Sequence, residues 1–362
     1  MPMERLGIVG LPNAGKSSLF NALTGGSAVV APHPFSTTET IVGVAQVPDH
    51  RLSALAEMSK SRKVVRATVE FVDIAGLVAG AASADGLSPR FLAGVREVDA
   101  VCLVLRAFED AGVVGGNDPL DDLSVLELEL VLADATTVES QIEKRKRANK
   151  TGADKQAGID VVALEAAAEQ LQAGTPIWRS TLSEEHRVTL RPFFLLTNKS
   201  VLAVVNLGED QVGDAESIIA PIAKEMGDSA EVLAVCVQLE AETAELDEAS
   251  RAELLTGLGL GDGALPRVAQ AAYGVLGRRT FLTTGDKESR AWTFRAGAKA
   301  PECAGVIHSD LQRGFIRAEI IRWDELLTLG SWQAAKDTGK LRIEGKDYEV
   351  VDGDVLEIRY HV

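Results

Sequence analysis

Histidine and cysteine are scarce: five histidines lie scattered over 362 residues, and Cys102, Cys236 and Cys303 form no CxxC pair. That pattern excludes zinc fingers and ribbons, whose ligands recur at short spacings. Each cysteine has apolar neighbours, so buried free thiols are expected. No stretch approaches the roughly 18–20 apolar residues that span a bilayer, which excludes a membrane-spanning helix. The start, Met1-Pro2-Met3-Glu4-Arg5, has neither the basic region nor the apolar run of a secretory signal, so a cytoplasmic location without membrane attachment is expected. Basic residues are outnumbered, 37 Lys and Arg against 53 Asp and Glu, for a net charge of −16. Such a field argues against a protein that coats nucleic acid, and DNA is not an expected partner. One local exception is the run Lys144-Arg145-Lys146-Arg147, either a solvated helix face or a site of RNA contact.

What is present fits two or three globular domains: 46% hydrophobic and 25% charged residues allow a large core. Short β-branched runs at Leu6–Val9, Val69–Val72, Ala100–Leu105, Val201–Val205 and Val232–Val235 alternate with helical patterns. They predict an α/β domain with a parallel sheet covered on both faces. Between Asp118 and Pro192 the texture changes. Leu128, Val131, Ala135, Val138 and Ile142, then Val161, Leu164, Ala168 and Leu171, recur at steps of three and four. Two antiparallel helices joined near Asn149–Gly158 are expected, as a coiled-coil arm or a packed hairpin. Beyond a linker near Gly274–Arg279, the segments Ala291–Arg295, Phe315–Ile321 and Val355–Tyr360 read as strands of a small α+β module. The expected domains are 1–117 with 193–277, an insertion at 118–192, and 278–362.

Gly10-Leu11-Pro12-Asn13-Ala14-Gly15-Lys16-Ser17 matches GxxxxGK[ST] between an apolar strand and a helix beginning at Ser18. Glycines let the backbone curl and aim N–H groups at phosphate oxygens, and the helix adds its positive end. Lys16 is expected at the β- and γ-phosphates and the Ser17 hydroxyl at Mg²⁺. Asp73 of Asp73-Ile74-Ala75-Gly76 then belongs near that metal, and the Gly76 amide near the γ-phosphate. Upstream, Thr37 or its neighbour Thr38 is the candidate switch-loop ligand to Mg²⁺. Leu77 stands where many GTPases place a water-orienting Gln. Asn13 offers another route, by helping to hold a potassium ion that stabilises charge. Lys16 and Asn13 are therefore the catalytic candidates.

Base recognition is expected after a later strand, at Asn206-Leu207-Gly208-Glu209 and at Cys236 and Val237. Guanine-specific enzymes carry NKxD there, whose carboxylate clasps two donors that adenine lacks. Here Lys is replaced by Leu207 and Asp by Glu209, which weakens the case for guanine.

Together these residues resemble the YchF-type, Obg-like ATPases, a GTPase-fold family that prefers ATP. The resemblance continues through Arg290-Ala291-Trp292-Thr293, Gly305-Val306-Ile307-His308 and Gly314-Phe315-Ile316-Arg317-Ala318 to Glu344-Gly345-Lys346-Asp347-Tyr348. It implies a P-loop GTPase-like parallel-sheet domain, an inserted coiled-coil arm and a C-terminal β-grasp TGS domain. It further implies ATP as substrate, Mg²⁺ as cofactor, and the ribosome, through its large subunit, as partner in translation or stress control. Asn206, Leu207 and Glu209 would surround adenine. Similar proteins carry a His in the loop after their Phe-Glu segment, whereas Phe108–Asn117 contains none. No catalytic histidine is therefore assigned, and His308 reads as structural. Three functions stay open: an ATPase switch, a docking module with nucleotide as bound ligand, and a true GTPase.

Overall fold

The computed structural model describes residues 4–25, 29–31, 40–74, 88–110, 116–149, 154–244, 246, 250, 253–254 and 263–361. The chain begins with β1 (Arg5–Gly10), α1 (Lys16–Thr24), β2 (Val29–Ala31) and β3 (Thr40–Gln46). α2 (His50–Met58), β4 (Val64–Val65), β5 (Thr68–Asp73), α3 (Pro89–Glu97) and β6 (Ala100–Arg106) follow. Next come α4 (Pro119–Ala148), α5 (Lys155–Gln172), α6 (Glu184–Leu190), β7 (Ser200–Asn206), α7 (Ala215–Met226), β8 (Ala230–Val235) and α8 (Val237–Ala244). The remainder holds α9 (Leu265–Val275), β9 (Arg278–Thr283), β10 (Ser289–Arg295), α10 (Ala300–Ile307), α11 (Ser309–Arg313) and β11 (Phe315–Arg322). It closes with α12 (Trp323–Leu329), α13 (Trp332–Asp337), β12 (Arg342–Glu344) and β13 (Asp354–Tyr360).

Two compact units result: residues Met1–Val44 with Glu70–Ala272, and Ala45–Val69 with Tyr273–Val362. The first contains a seven-stranded sheet in the order β2-β3-β5-β1-β6-β7-β8. β1 pairs in parallel with β5 and β6, as do β6 with β7 and β7 with β8, while β2 and β3 are antiparallel. Every residue of β6 is buried, which is why Ala100–Arg106 reads as a continuous apolar run until its last residue. The parallel strands end together, so Gly10, Asp73, Arg106, Asn206 and Val235 lie along one edge. In such sheets ligands bind beyond the carboxyl ends of the strands.

α4 and α5 form the expected hairpin, and most of its expected seam comes together: Val131, Val138, Leu164 and Leu171 are buried in one cluster with Ala135, Ile142 and Ala168 packed against it, while Leu128 departs from it. Leu128 is 53% exposed. The first half of α4 instead buries Leu123, Leu126 and Leu130 against the sheet domain. From Val131 onward, Val131 and Val138 pack with Ala163, Leu164 and Leu171 of α5. A 3.6-residue period drifts against a strict heptad, so a 30-residue helix meets different partners along its length. Most of the basic run is engaged within the hairpin. Arg145 pairs with Asp160 at 3.2 Å, Lys146 with Glu165 at 2.7 Å, and Arg147 with Glu143 at 3.2 Å.

The second unit has a mixed six-stranded sheet, β12-β11-β13-β9-β10-β4. α10 packs over it, burying Ala300, Cys303 and Ala304 with Phe281, Phe294, Phe315 and Ile320. The Phe281, Phe294 and Phe315 rings thus serve the core. His308 caps α11: its Nδ1 accepts the Asp310 N–H at 3.1 Å.

The expected span 1–117 is divided between the units, because α2 and β4 belong to the C-terminal fold. β4 pairs with β10, Arg51 binds Asp352 at 2.6 Å, and His50 meets Trp323 edge to face at 5.3 Å. Thr284 Oγ1 donates to the Leu55 carbonyl at 3.1 Å. The helical insertion, by contrast, remains part of the first unit. Among the described residues no helix is long and apolar enough to cross a membrane.

Candidate nucleotide-binding site

Gly10 ends β1 and Lys16 begins α1, so Leu11–Gly15 must reverse the chain in five residues. Two of them adopt left-handed backbone, Asn13 with φ 64° and Gly15 with φ 92°. Asparagine tolerates that region better than most residues, which gives Asn13 a backbone reason to be where it is. Its side chain is exposed, as is that of Ser18. At Gly10 a Cβ would meet the Val104 carbonyl at 2.5 Å, so only glycine lets the loop leave the sheet there.

Lys16 is buried, and its Nζ donates to the Leu11 carbonyl at 2.7 Å. Burial lowers its pKa, while the charges of Asp73 and Asp122 oppose that shift. The ammonium is thus held inside the loop it would share with phosphate. Ser17 Oγ donates to Asp73 Oδ2 at 2.9 Å. Burial raises the Asp73 carboxyl above its ordinary value, with the Ser17 bond and Lys16 opposing. A hydroxyl and a partly desolvated carboxylate side by side suit a hard, oxygen-seeking cation. Among the described residues no three His, Cys, Asp or Glu converge. Thr37, its neighbour Thr38, and Gly76 lie outside the described residues.

Asn206 ends β7 and is 5% exposed. Its Nδ2 donates to the Ala14 carbonyl at 3.1 Å, and its Oδ1 accepts the Val237 N–H at 3.2 Å. One side chain therefore ties the phosphate loop to the segment after β8. Leu207 turns into the apolar core at 3% exposure, so only its backbone faces the loop region. Glu209 is exposed at the start of a 3₁₀ turn, Glu209–Asp214. It lies near Cys236, whose pKa is raised first by burial and further by the Glu209 charge. Cys236 and Val237 are both buried. Asn198-Lys199, an Asn-Lys pair that precedes β7, serves structure instead: Lys199 Nζ donates to the carbonyls of Arg96 at 3.2 Å and Val98 at 2.5 Å.

Sequence reading missed Arg106 and Asp122. Arg106 stands beside Asn206 in the sheet register and is buried. Its N–H donates to Asp122 Oδ2 at 3.0 Å, its Nε to the Phe108 carbonyl at 3.1 Å, and its guanidinium covers the Phe108 ring. The available signal was a charge ending an otherwise apolar strand.

Comparison with known proteins agrees with this geometry. The family model YchF-GTPase_C, described as a protein of unknown function, matches residues 279–361. The model MMR_HSR1, described as a 50S ribosome-binding GTPase, matches residues 5–164. The chain is 43% identical to the ribosome-binding ATPase YchF of Bacillus subtilis, over 98% of this chain and 99% of the relative. It is 42% identical to the protein of that name in Escherichia coli O157:H7, over 99% of each. The structure of the Schizosaccharomyces pombe YchF GTPase superposes with a TM-score of 0.86 at 31% identity, covering 98% of this chain and 97% of that one. The phosphate loop, the Ser17–Asp73 pair and the full-length similarity agree: this chain belongs to the YchF family of P-loop nucleotide-binding proteins.

Proposed function

We propose that the chain is a ribosome-associated nucleotidase that hydrolyses the β–γ bond of ATP and prefers ATP to GTP. The observation that carries the hydrolase reading is the convergence of Lys16, Ser17 and Asp73 on one phosphate loop. Lys16 exchanges the Leu11 carbonyl for the β- and γ-phosphates when nucleotide arrives. Ser17 and Asp73 hold Mg²⁺, with Thr37 from the switch loop, and the bound ion supplies neutralisation of charge on the phosphates. The backbone amides from Leu11 to Ser18 and the start of α1 orient the triphosphate, and the Gly76 amide reads its γ-phosphate. The Asn13 amide oxygen contributes to a potassium site.

The preference for adenine rests on the base segment. Once Nδ2 of Asn206 is committed to Ala14, one amide hydrogen remains for an acceptor on the base. No lysine is present at position 207 and no aspartate at 209 to clasp guanine. The relatives named above are called ribosome-binding, and the same partner is proposed here, through the large subunit. The hairpin at 118–192 and a TGS-type C-terminal module are the docking elements of this reading.

Calorimetric titration with ATP and GTP in the presence of Mg²⁺ tests it. ATP tighter by about tenfold, roughly 1.4 kcal/mol, supports the reading. Tighter GTP binding makes the protein a GTPase with an unusual base segment.

A further inference from the structure

The net charge of −16 is not shared evenly between the two units. Residues 45–69 with 273–362 carry 19 Lys and Arg against 16 Asp and Glu, a net +3. The other unit carries 18 against 37, a net −19. The long-range field of the nucleotide-binding unit therefore disfavours an extended polyanion, and local cations there must work against it. The Lys144–Arg147 run sits in that acidic unit, and three of its four cations are already paired. The sequence Lys60-Ser61-Arg62-Lys63-Val64-Val65-Arg66 sits in the cationic unit.

β4 within that sequence is the edge strand of the mixed sheet, paired on one side with Ser289 and Arg290 of β10. Lys60, Arg62, Lys63 and Arg66 are all exposed along this edge. Glu288 is shared by Lys63 at 3.0 Å and Arg290 at 2.9 Å, one carboxylate between two cations. Among the described residues Arg62 and Arg66 have no ion pair. The edge is held rigidly beneath them: Arg62 N–H donates to the Asp286 carbonyl at 3.0 Å, and Ser61 Oγ to the Gly285 carbonyl at 2.6 Å. We propose that this strand edge is a docking surface for the phosphate backbone of RNA. The inference deepens the ribosome reading above and rests on it for the choice of RNA as the polyanion.

Its signature is the salt dependence of binding, because each neutralised phosphate releases counterions. The test measures co-sedimentation with ribosomes, and binding to a bare RNA hairpin, over a range of salt concentrations. The variant Lys60→Gln/Arg62→Gln/Lys63→Gln/Arg66→Gln is expected to flatten the log–log slope by about 3, from 0.7–0.9 per phosphate contact. The charge-preserving swap Lys60→Arg/Arg62→Lys/Lys63→Arg/Arg66→Lys is expected to retain the slope. A matching Gln variant of Lys144–Arg147 is expected to change it by less than one. Arg62→Gln and Arg66→Gln singly, at exposed positions, cover the case in which the fourfold variant misfolds; each should lower the slope by about one. An unchanged slope overturns the proposal and leaves the charges as guards against edge-to-edge pairing. An equal loss in the arm variant overturns it too. If the wild-type protein fails to pellet with ribosomes, the ribosome reading falls separately, while the hairpin measurement still decides the surface.

Discussion

Asn206 holds Ala14: the side-chain Nδ2 at the end of β7 donates to a carbonyl inside the phosphate loop at 3.1 Å. The fit is close, since a Cβ at Gly15 would lie 2.2 Å from the same nitrogen. The residue that a base-recognition motif supplies is thus also a strut of the phosphate site. In the function proposed above, base and phosphate sensing would share this one side chain.

Asn206→Ala is therefore expected to weaken binding to the whole nucleotide. It leaves a buried carbonyl and the Val237 amide without partners, worth about 1–3 kcal/mol. Calorimetry should show roughly 10–100-fold weaker ATP binding, and similarly weaker ADP binding. A loss confined to ATP, or to one base, would contradict the strut role.

Asp73 carries a stability cost that Mg²⁺ would relieve. Burial is the largest cause of its raised pKa, so the nucleotide-free native state takes up a proton more readily than the unfolded chain. Its contribution to stability therefore grows as pH falls from the raised value towards the ordinary 3.8, the reverse of a salt-bridged carboxylate. Asp73→Asn should keep the Ser17 hydrogen bond and leave the melting temperature unchanged or higher. It should also abolish the Mg²⁺ dependence of nucleotide binding. In the wild type, that dependence should fade on acidification at a pH above the usual carboxylate range. Wild-type Mg²⁺ dependence in the Asn variant would remove Asp73 from the site.

The sheet domain was legible because its central strands β1, β6 and β7 are buried almost throughout and read as short apolar runs. The phosphate loop was legible because its chemistry is local. Neither condition holds for β4, whose two residues pair with a strand more than 200 positions away. Its charged flanks give no strand periodicity. The pairing of the basic run was not legible for a related reason: two of its carboxylate partners, Asp160 and Glu165, come from α5 and are visible only once the hairpin closes. Arg106 had a signal, a charge closing an apolar strand, but its partner Asp122 lies 16 residues further on.

Asp134 fastens α4 to the body of its unit. It is 1% exposed and accepts the Leu196 N–H at 2.8 Å, the Thr197 N–H at 2.7 Å and the Thr197 hydroxyl at 2.7 Å. Asp134→Ala would orphan all three donors and should cost about 3 kcal/mol or more in denaturant unfolding. Asp134→Asn, which still accepts through one oxygen, should cost less. Equal costs for the two would mean that packing, not hydrogen bonding, sets the requirement.

Asn13 separates two readings of one residue. Its left-handed backbone alone justifies asparagine, and Asn13→Gly then leaves turnover unchanged in any salt. The potassium reading expects faster ATP turnover in potassium than in sodium for the wild type, and loss of that difference in Asn13→Gly. Equal rates in the two salts for the wild type would remove the cation role.

Truncation makes the strongest claim about the fold. Removing residues 279–362 takes away β10, the partner of β4, and Asp352, the partner of Arg51. It also uncovers α2, whose Leu52 and Leu55 are buried in the intact chain. Uncovering two leucines costs on the order of 3–6 kcal/mol by area alone, comparable with the stability of a whole domain. The truncated chain is therefore expected to aggregate or expose a protease-sensitive region at 45–69. Limited proteolysis followed by mass spectrometry reads this directly. Early cleavage within 45–69 in the truncated chain but not in the full one supports the shared unit. Equal resistance in both would show that residues 45–69 fold without the C-terminal strands. In the first case, loss of ribosome binding on truncation reports damage to the fold, and the charge variants at Lys60–Arg66 become the measurement that locates docking.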